Sequence, residues 1–167
     1  GYTYVEDAIN AALSGQVAAV TTAPLNKEAL RAAGVPFPGH TEIFAALTHA
    51  QRACMLQYSS EVRCVFVTTH VPYAEVPRLL TKERILDTLE LGAQAMRRIG
   101  CISGTEPKIG VLGLNPHAGE HGLFGNEEET IIGPAIETAR ERGFDVEGPI
   151  PPDTAFLPAK RRATDFF

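Results

Sequence analysis

Several absences narrow the field before any motif is weighed. No apolar run approaches the roughly 20 residues needed to span a bilayer, and the opening residues do not resemble a signal peptide. No membrane partner is expected. No stripe of lysine or arginine runs through the chain and the formal net charge is −5, so a nucleic-acid partner is not expected either. Lys160, Arg161 and Arg162 form a lone basic cluster that reads as solvated surface. Cysteine is scarce: Cys54, Cys64 and Cys101 are odd in number and lack metal-ligand spacing, and the first two lie in apolar runs. They read as reduced core thiols of a cytoplasmic protein. Repeats and low-complexity segments are missing as well.

What is present is globular. The chain has 167 residues, 44% of them hydrophobic and 21% charged, enough for a sizeable core. Val5, Ala8, Ile9, Ala12 and Leu13 follow helical spacing, with Thr3 as the expected cap and Gly15 as the stop. Val17 to Val20 reads as a short buried strand, and residues 26–33 as a short helix closed by Gly34. Thr41 is placed to cap a helix carrying Ile43, Phe44 and Leu47. Residues 53–56 and 63–69 are strand candidates separated by Ser59-Ser60. The longest helix starts after Thr81 and carries Ile85, Leu86, Leu89, Ala93, Met96 and Ile99 on one face before Gly100. A strand over 108–114 follows, then a helix from Asn126, whose first turn holds Glu127, Glu128 and Glu129, the charge a helix start favours. A last strand is expected at 145–148. Strands alternating with helices, the strands continuously apolar, predict an α/β domain with a largely parallel sheet.

Chemistry gathers where two of these strands stop. Residues 108–121 read KIGVLGLNPHAGEH: Asn115-Pro116 ends the strand, because proline lacks a ladder donor, and His117 follows at once. Residues 64–72 repeat the design, with His70 just before Pro72. In a parallel sheet, ligands collect beyond the carboxyl ends of strands, and neutral imidazoles there suit a divalent metal. The plainer alternative is that each histidine bonds a backbone carbonyl at its strand end. A metal site also needs a third ligand at least, which composition does not name. His40 and Thr41 follow Pro38-Gly39 at a helix start, where free N–H groups can hold an anion; simple capping would explain Thr41 equally well. Gly119, Gly122 and Gly125 are not spaced as a dinucleotide fingerprint, and the three glutamates after them would repel phosphate. His49 and His121 receive no role.

Four motifs in order, GHTEIFA (39–45), VTTHVP (67–72), GLNPHAGE (113–120) and PPDTAF (151–156), together with TAPLNKEAL (22–30), resemble one family over practically the whole chain. It is that of the 4-hydroxythreonine-4-phosphate dehydrogenases of pyridoxal phosphate biosynthesis. The resemblance implies an α/β fold like that of the isocitrate and isopropylmalate dehydrogenases, here mainly its central domain, and a homodimer with the active site at the subunit interface. It divides the chain into a strip of the nucleotide-side domain (1–34), a central dimer-forming domain (35–150) and the return toward the first domain (151–167). The implied reaction is the oxidation and decarboxylation of 4-phosphooxy-L-threonine to 3-amino-2-oxopropyl phosphate. NAD or NADP takes the hydride, and a divalent metal (zinc, magnesium or cobalt) polarises the reacting oxygen.

By the same resemblance His70 and His117 match metal ligands, and His40 and Thr41 match substrate-binding residues. Asp153 matches an acidic residue lining the cleft, a substrate contact or proton carrier. Lys27 lies in a family-like segment without an assigned role. The family's Gly/Pro-rich opening, its third metal histidine and most of its cofactor site have no counterpart in these 167 residues, so the chain is expected to be a piece of a longer enzyme and inactive alone. Paralogues acting on 4-phospho-D-threonate or 4-phospho-D-erythronate share the motifs. A non-catalytic dimerising remnant is the reading from a different class.

Overall fold

A computed structural model describes all the residues, 1–167, and divides them into two compact units, Gly1–Ala53 and Cys54–Phe167. The first unit is helical. Helix α1 (Tyr2–Leu13) buries Val5 and Ile9, four residues apart on one face, against Ile43 of α3 (His40–Leu47). Between them α2 (Lys27–Ala32) is capped by Asn26, whose side-chain oxygen accepts from the Ala29 N–H at 2.9 Å. α3 packs on α1 within this unit, which runs to Ala53.

Three expectations fail here. Thr3 does not cap α1; the cap position is Gly1, with no side-chain bond. Thr41 does not cap α3 but is its second residue, Gly39 taking the cap position in an extended conformation. Residues 17–20 are not a strand, and Val17 is 43% exposed. The reason is shared with every isolated extended segment: this unit offers no second strand to pair with.

The second unit carries the sheets. Strands β1 (Met55–Tyr58) and β2 (Arg63–Phe66) form an antiparallel hairpin, Leu56 opposite Val65. Its turn is set by the Ser59 hydroxyl, which accepts from the Val62 N–H at 2.9 Å and donates to the Val62 carbonyl. A short turn at Tyr73–Glu75 and helix α4 (Val76–Leu79) lead into α5 (Lys82–Ile99). Thr81 caps α5 by accepting from the Arg84 N–H, and Gly100 closes it at φ 70, a left-handed conformation that glycine adopts without steric cost. Strand β3 (Lys108–Leu112), helix α6 (Gly133–Glu141) and strand β4 (Asp145–Ile150) make a parallel crossover unit, followed by α7 (Pro152–Ala155) and α8 (Pro158–Ala163). The strands thus form two pairs: β3 and β4 are parallel, as expected, whereas the β1–β2 hairpin is antiparallel.

The last residues join the two pairs. Phe166 bridges Ile109 in parallel, and Phe167 donates to the Arg63 carbonyl while accepting from the Val65 N–H, the parallel pattern again. One face is covered by α5 and α6, whose Ile85, Leu89, Met96, Ile136 and Ala139 pack with Ile109, Val146 and Phe166. Gly92 of α5 lies so close to the Phe166 ring that a Cβ there would come within 2.6 Å of it.

Candidate active site

Since β2 and β3 both run parallel to the Phe166–Phe167 segment, they point the same way, and the segments after them leave from one edge of the sheet. β2 ends at Phe66, three residues short of the expected stop, so His70 stands on the loop before Pro72, exposed and at φ 58. β3 ends at Leu112, and after Asn115-Pro116 the backbone turns left-handed. His117 (φ 52), Ala118 (55), Gly119 (83), Glu120 (44), His121 (56) and Gly122 (87) follow one another in that region. For residues with a Cβ this conformation costs roughly 1–2 kcal/mol each, and it persists only where the surroundings impose it.

The surroundings here include one buried carboxylate. Glu128 is 5% exposed; its Oε1 accepts from the backbone N–H groups of Leu114 and Asn115, both at 2.7 Å, and its Oε2 from the Asn115 side-chain amide at 2.9 Å. The same amide nitrogen also donates to Glu127 at 2.7 Å. Burial pushes the Glu128 carboxyl upward, but the bonds from Asn115 and Leu114 outweigh it and hold the group below its ordinary range, ionised. Glycine is required around it: a Cβ at Gly119 would meet Oε2 at 2.8 Å, and one at Gly113 would meet Oε1 at 3.1 Å and the Ala118 backbone at 2.8 Å. Read in sequence, Glu128 was one of three charges at a helix start. The structure places it in a single π-turn, Glu128–Ile132, ahead of α6.

On the far side of the loop, His117 Nδ1 lies 3.3 Å from Asp153 Oδ2, on the first turn of α7, with both side chains about half exposed. The Phe124 ring leans on the imidazole at 6.1 Å between centroids. A cavity of about 420 Å³ opens beside it, lined by His117, His121, Gly125, Glu129, Pro149 and Pro151; His121, given no role from sequence, shares that wall. The structure therefore brings His117 and Asp153 together and sends His70 out of the same sheet edge. It gathers no group of three histidine, cysteine or acidic side chains able to close around a metal ion. Two exposed imidazoles suit such an ion in donor chemistry, without completing its coordination.

His40 and Thr41 belong to the other unit, as the first two residues of α3. The His40 Nε2 is buried without a hydrogen-bond partner. Lys27 runs beside the same helix start, where a Cβ on Gly39 would stand 3.9 Å from its Cε.

Comparison with known proteins covers the whole chain. The family model described as pyridoxal phosphate biosynthetic protein PdxA matches residues 1–167. D-threonate 4-phosphate dehydrogenase of Salmonella typhimurium is 45% identical over 158 residues, 95% of this chain and 47% of that protein. 4-Hydroxythreonine-4-phosphate dehydrogenase of Desulforapulum autotrophicum is 42% identical over 162 residues, 97% of this chain and 47% of its own length. The crystal structure of 4-hydroxythreonine-4-phosphate dehydrogenase from Klebsiella pneumoniae superposes with a TM-score of 0.82 at 40% identity, covering 99% of this chain and 49% of that one. The chain spans about half the length of the relatives it matches.

Proposed function

The chain belongs to the PdxA family, and from that premise we propose that it supplies the histidine edge and an anion-holding helix start of a dehydrogenase acting on a phosphorylated hydroxy acid. The fold we propose for the parent enzyme is that of the isocitrate and isopropylmalate dehydrogenases, working as a cytoplasmic homodimer. The observation that carries the reading is the pairing of His117 with Asp153 at the edge from which His70 also emerges.

In this reading His70 and His117 hold a divalent metal. Bound there, such an ion would polarise the reacting oxygen of the substrate, and NAD or NADP would take the hydride in an oxidation with decarboxylation. The chain's own contribution is orientation. Asp153 faces His117 Nδ1, so that nitrogen keeps its proton toward the carboxylate and Nε2 is left as the free donor. Asp153, half exposed, is also positioned to take up or return a proton at the cleft. The His40 Nε2, buried and unpaired, and the free N–H groups at the start of α3 together bind an anionic group of the substrate, with Thr41 beside them.

Two substrates compete for this reading, 4-phosphooxy-L-threonine and D-threonate 4-phosphate, and relatives of both names match at similar identity. Calorimetric titration with zinc tests the metal assignment. Weak binding is expected from two ligands, and His117→Ala should abolish it; a variant that binds zinc as the parent does would remove His117 from the site. The same titration with each phosphorylated acid, on the zinc-loaded chain and on His40→Ala, tells which substrate is preferred. It also tells whether His40 contributes the tenfold or so expected of a hydrogen bond to a charged group.

A further inference from the structure

We propose that Glu128 is the positioning residue for His117: its buried carboxylate holds the root of the left-handed loop and so fixes where the imidazole stands. The proposal rests on the reading of His117 as a site residue, but its geometry stands independently. Glu128 is anchored from behind by the core, because the π-turn it opens leads directly into buried Ile132, Ala135, Ile136 and Ala139. From that base it reaches forward to three donors of Leu114 and Asn115, the two residues after which the chain leaves the sheet region. Both glycines that let the loop lie against it, Gly113 and Gly119, flank the segment that includes His117. A single turn of π-helix, often found at functional sites, is what aims the side chain: Gly133 closes that turn with room for no Cβ, since one would meet the Glu128 carbonyl at 2.9 Å.

The charge is needed as well as the shape. A glutamine at 128 could accept both backbone N–H groups with its oxygen, but its NH₂ would then face the donating amide of Asn115. Turning the Asn115 amide round relieves that conflict only by setting its oxygen against Glu127 Oε2. Either arrangement leaves one opposed pair, in a place where buried polar groups need their partners. Two backbone N–H groups in a row, bonded to one oxygen, also fix the direction in which Pro116 and His117 depart. The contact between His117 and Asp153 at 3.3 Å depends on that direction.

The test is Glu128→Gln in the full 167-residue chain, read by NMR chemical shifts of 117–121 and by zinc calorimetry. We expect α5 resonances and cooperative unfolding to be kept, the backbone shifts of His117, Ala118, Glu120 and His121 to move away from left-handed values, and zinc affinity to fall tenfold or more. Unmoved loop shifts overturn the proposal, whatever happens to zinc. Should the loop move while neither parent nor variant holds zinc, the positioning role stands and the metal reading fails. Should Glu128→Gln not fold, Asn115→Ala, which removes one of the three bonds, takes its place: displaced loop shifts support the proposal and unchanged ones overturn it.

Discussion

Helix α5 and the loop from Gly113 to Glu128 are of similar length and built on opposite terms. The helix buries seven residues, is capped at both ends and carries no group assigned to chemistry. The loop buries little besides one carboxylate, runs left-handed through four residues that have side chains, and carries His117. In α5 local preference agrees with the packing along the whole expected apolar face except Ile99, which is 49% exposed, so the segment stabilises itself and its neighbours. In the loop, local preference is overruled, and the conformation is imposed from one anchored point. The difference teaches that this chain keeps its stability and its candidate chemistry on separate segments, joined at Glu128.

That separation can be broken or sharpened by three measurements. The largest effect belongs to Met96→Ala in α5, fully buried in the main core. It should cost about 2–5 kcal/mol in urea unfolding and leave the NMR shifts of 117–121 unchanged below the transition. Loop shifts that move with it would show the two regions to be coupled through the core rather than at Glu128. Next comes acid. The Glu128 carboxyl is held below its ordinary value, so the stability it contributes is complete above the unfolded-chain value of about 4.3 and is lost as pH falls through its lower folded value. Protonation leaves the donors of Leu114 and Asn115 facing a neutral acid, a weaker partner than the carboxylate. Parent stability should therefore fall more steeply with acid than that of Glu128→Gln; equal slopes would leave Glu128 without its assigned weight. The smallest effect has the opposite sign. His117→Gly removes a Cβ from a left-handed residue and should raise stability by roughly 0.5–1 kcal/mol while abolishing zinc binding. A destabilised His117→Gly would show that the imidazole itself, through Asp153 or Phe124, supports the loop.

The same contrast explains what could be read in the sequence. α5 was legible from its 3.6-residue period, Thr81 and Gly100, because nothing distant contradicts them. β3 was legible as an apolar run, although it ends at Leu112, two residues short of the expected 114 and ahead of Asn115-Pro116. The sequence shows β1 and β2 as two strands but not their antiparallel pairing, although Ser59-Ser60 lies where a tight turn would. Residues 17–20 misled because apolar composition promises a strand only where a partner strand exists. The left-handed run was half announced, by Gly119 and Gly122; His117, Ala118, Glu120 and His121 give no sign of it, since their conformation is dictated from outside. Glu128 was hidden most completely: among three consecutive glutamates, only tertiary structure separates the buried one from its neighbours.

The pairing of Phe166 and Phe167 with Ile109 and Arg63 has a consequence for the order in which the molecule assembles. The hairpin closes over a few residues and can form within microseconds. The bond between Arg63 and Phe167 closes about a hundred residues of chain, an entropic cost paid before any return. During synthesis both β2 and β3 must therefore wait with an open edge until residues 166–167 arrive, and an open edge is where strands of other chains add. Pairing by Phe166 and Phe167 thus closes two strand edges that would otherwise stay open to strands of other chains.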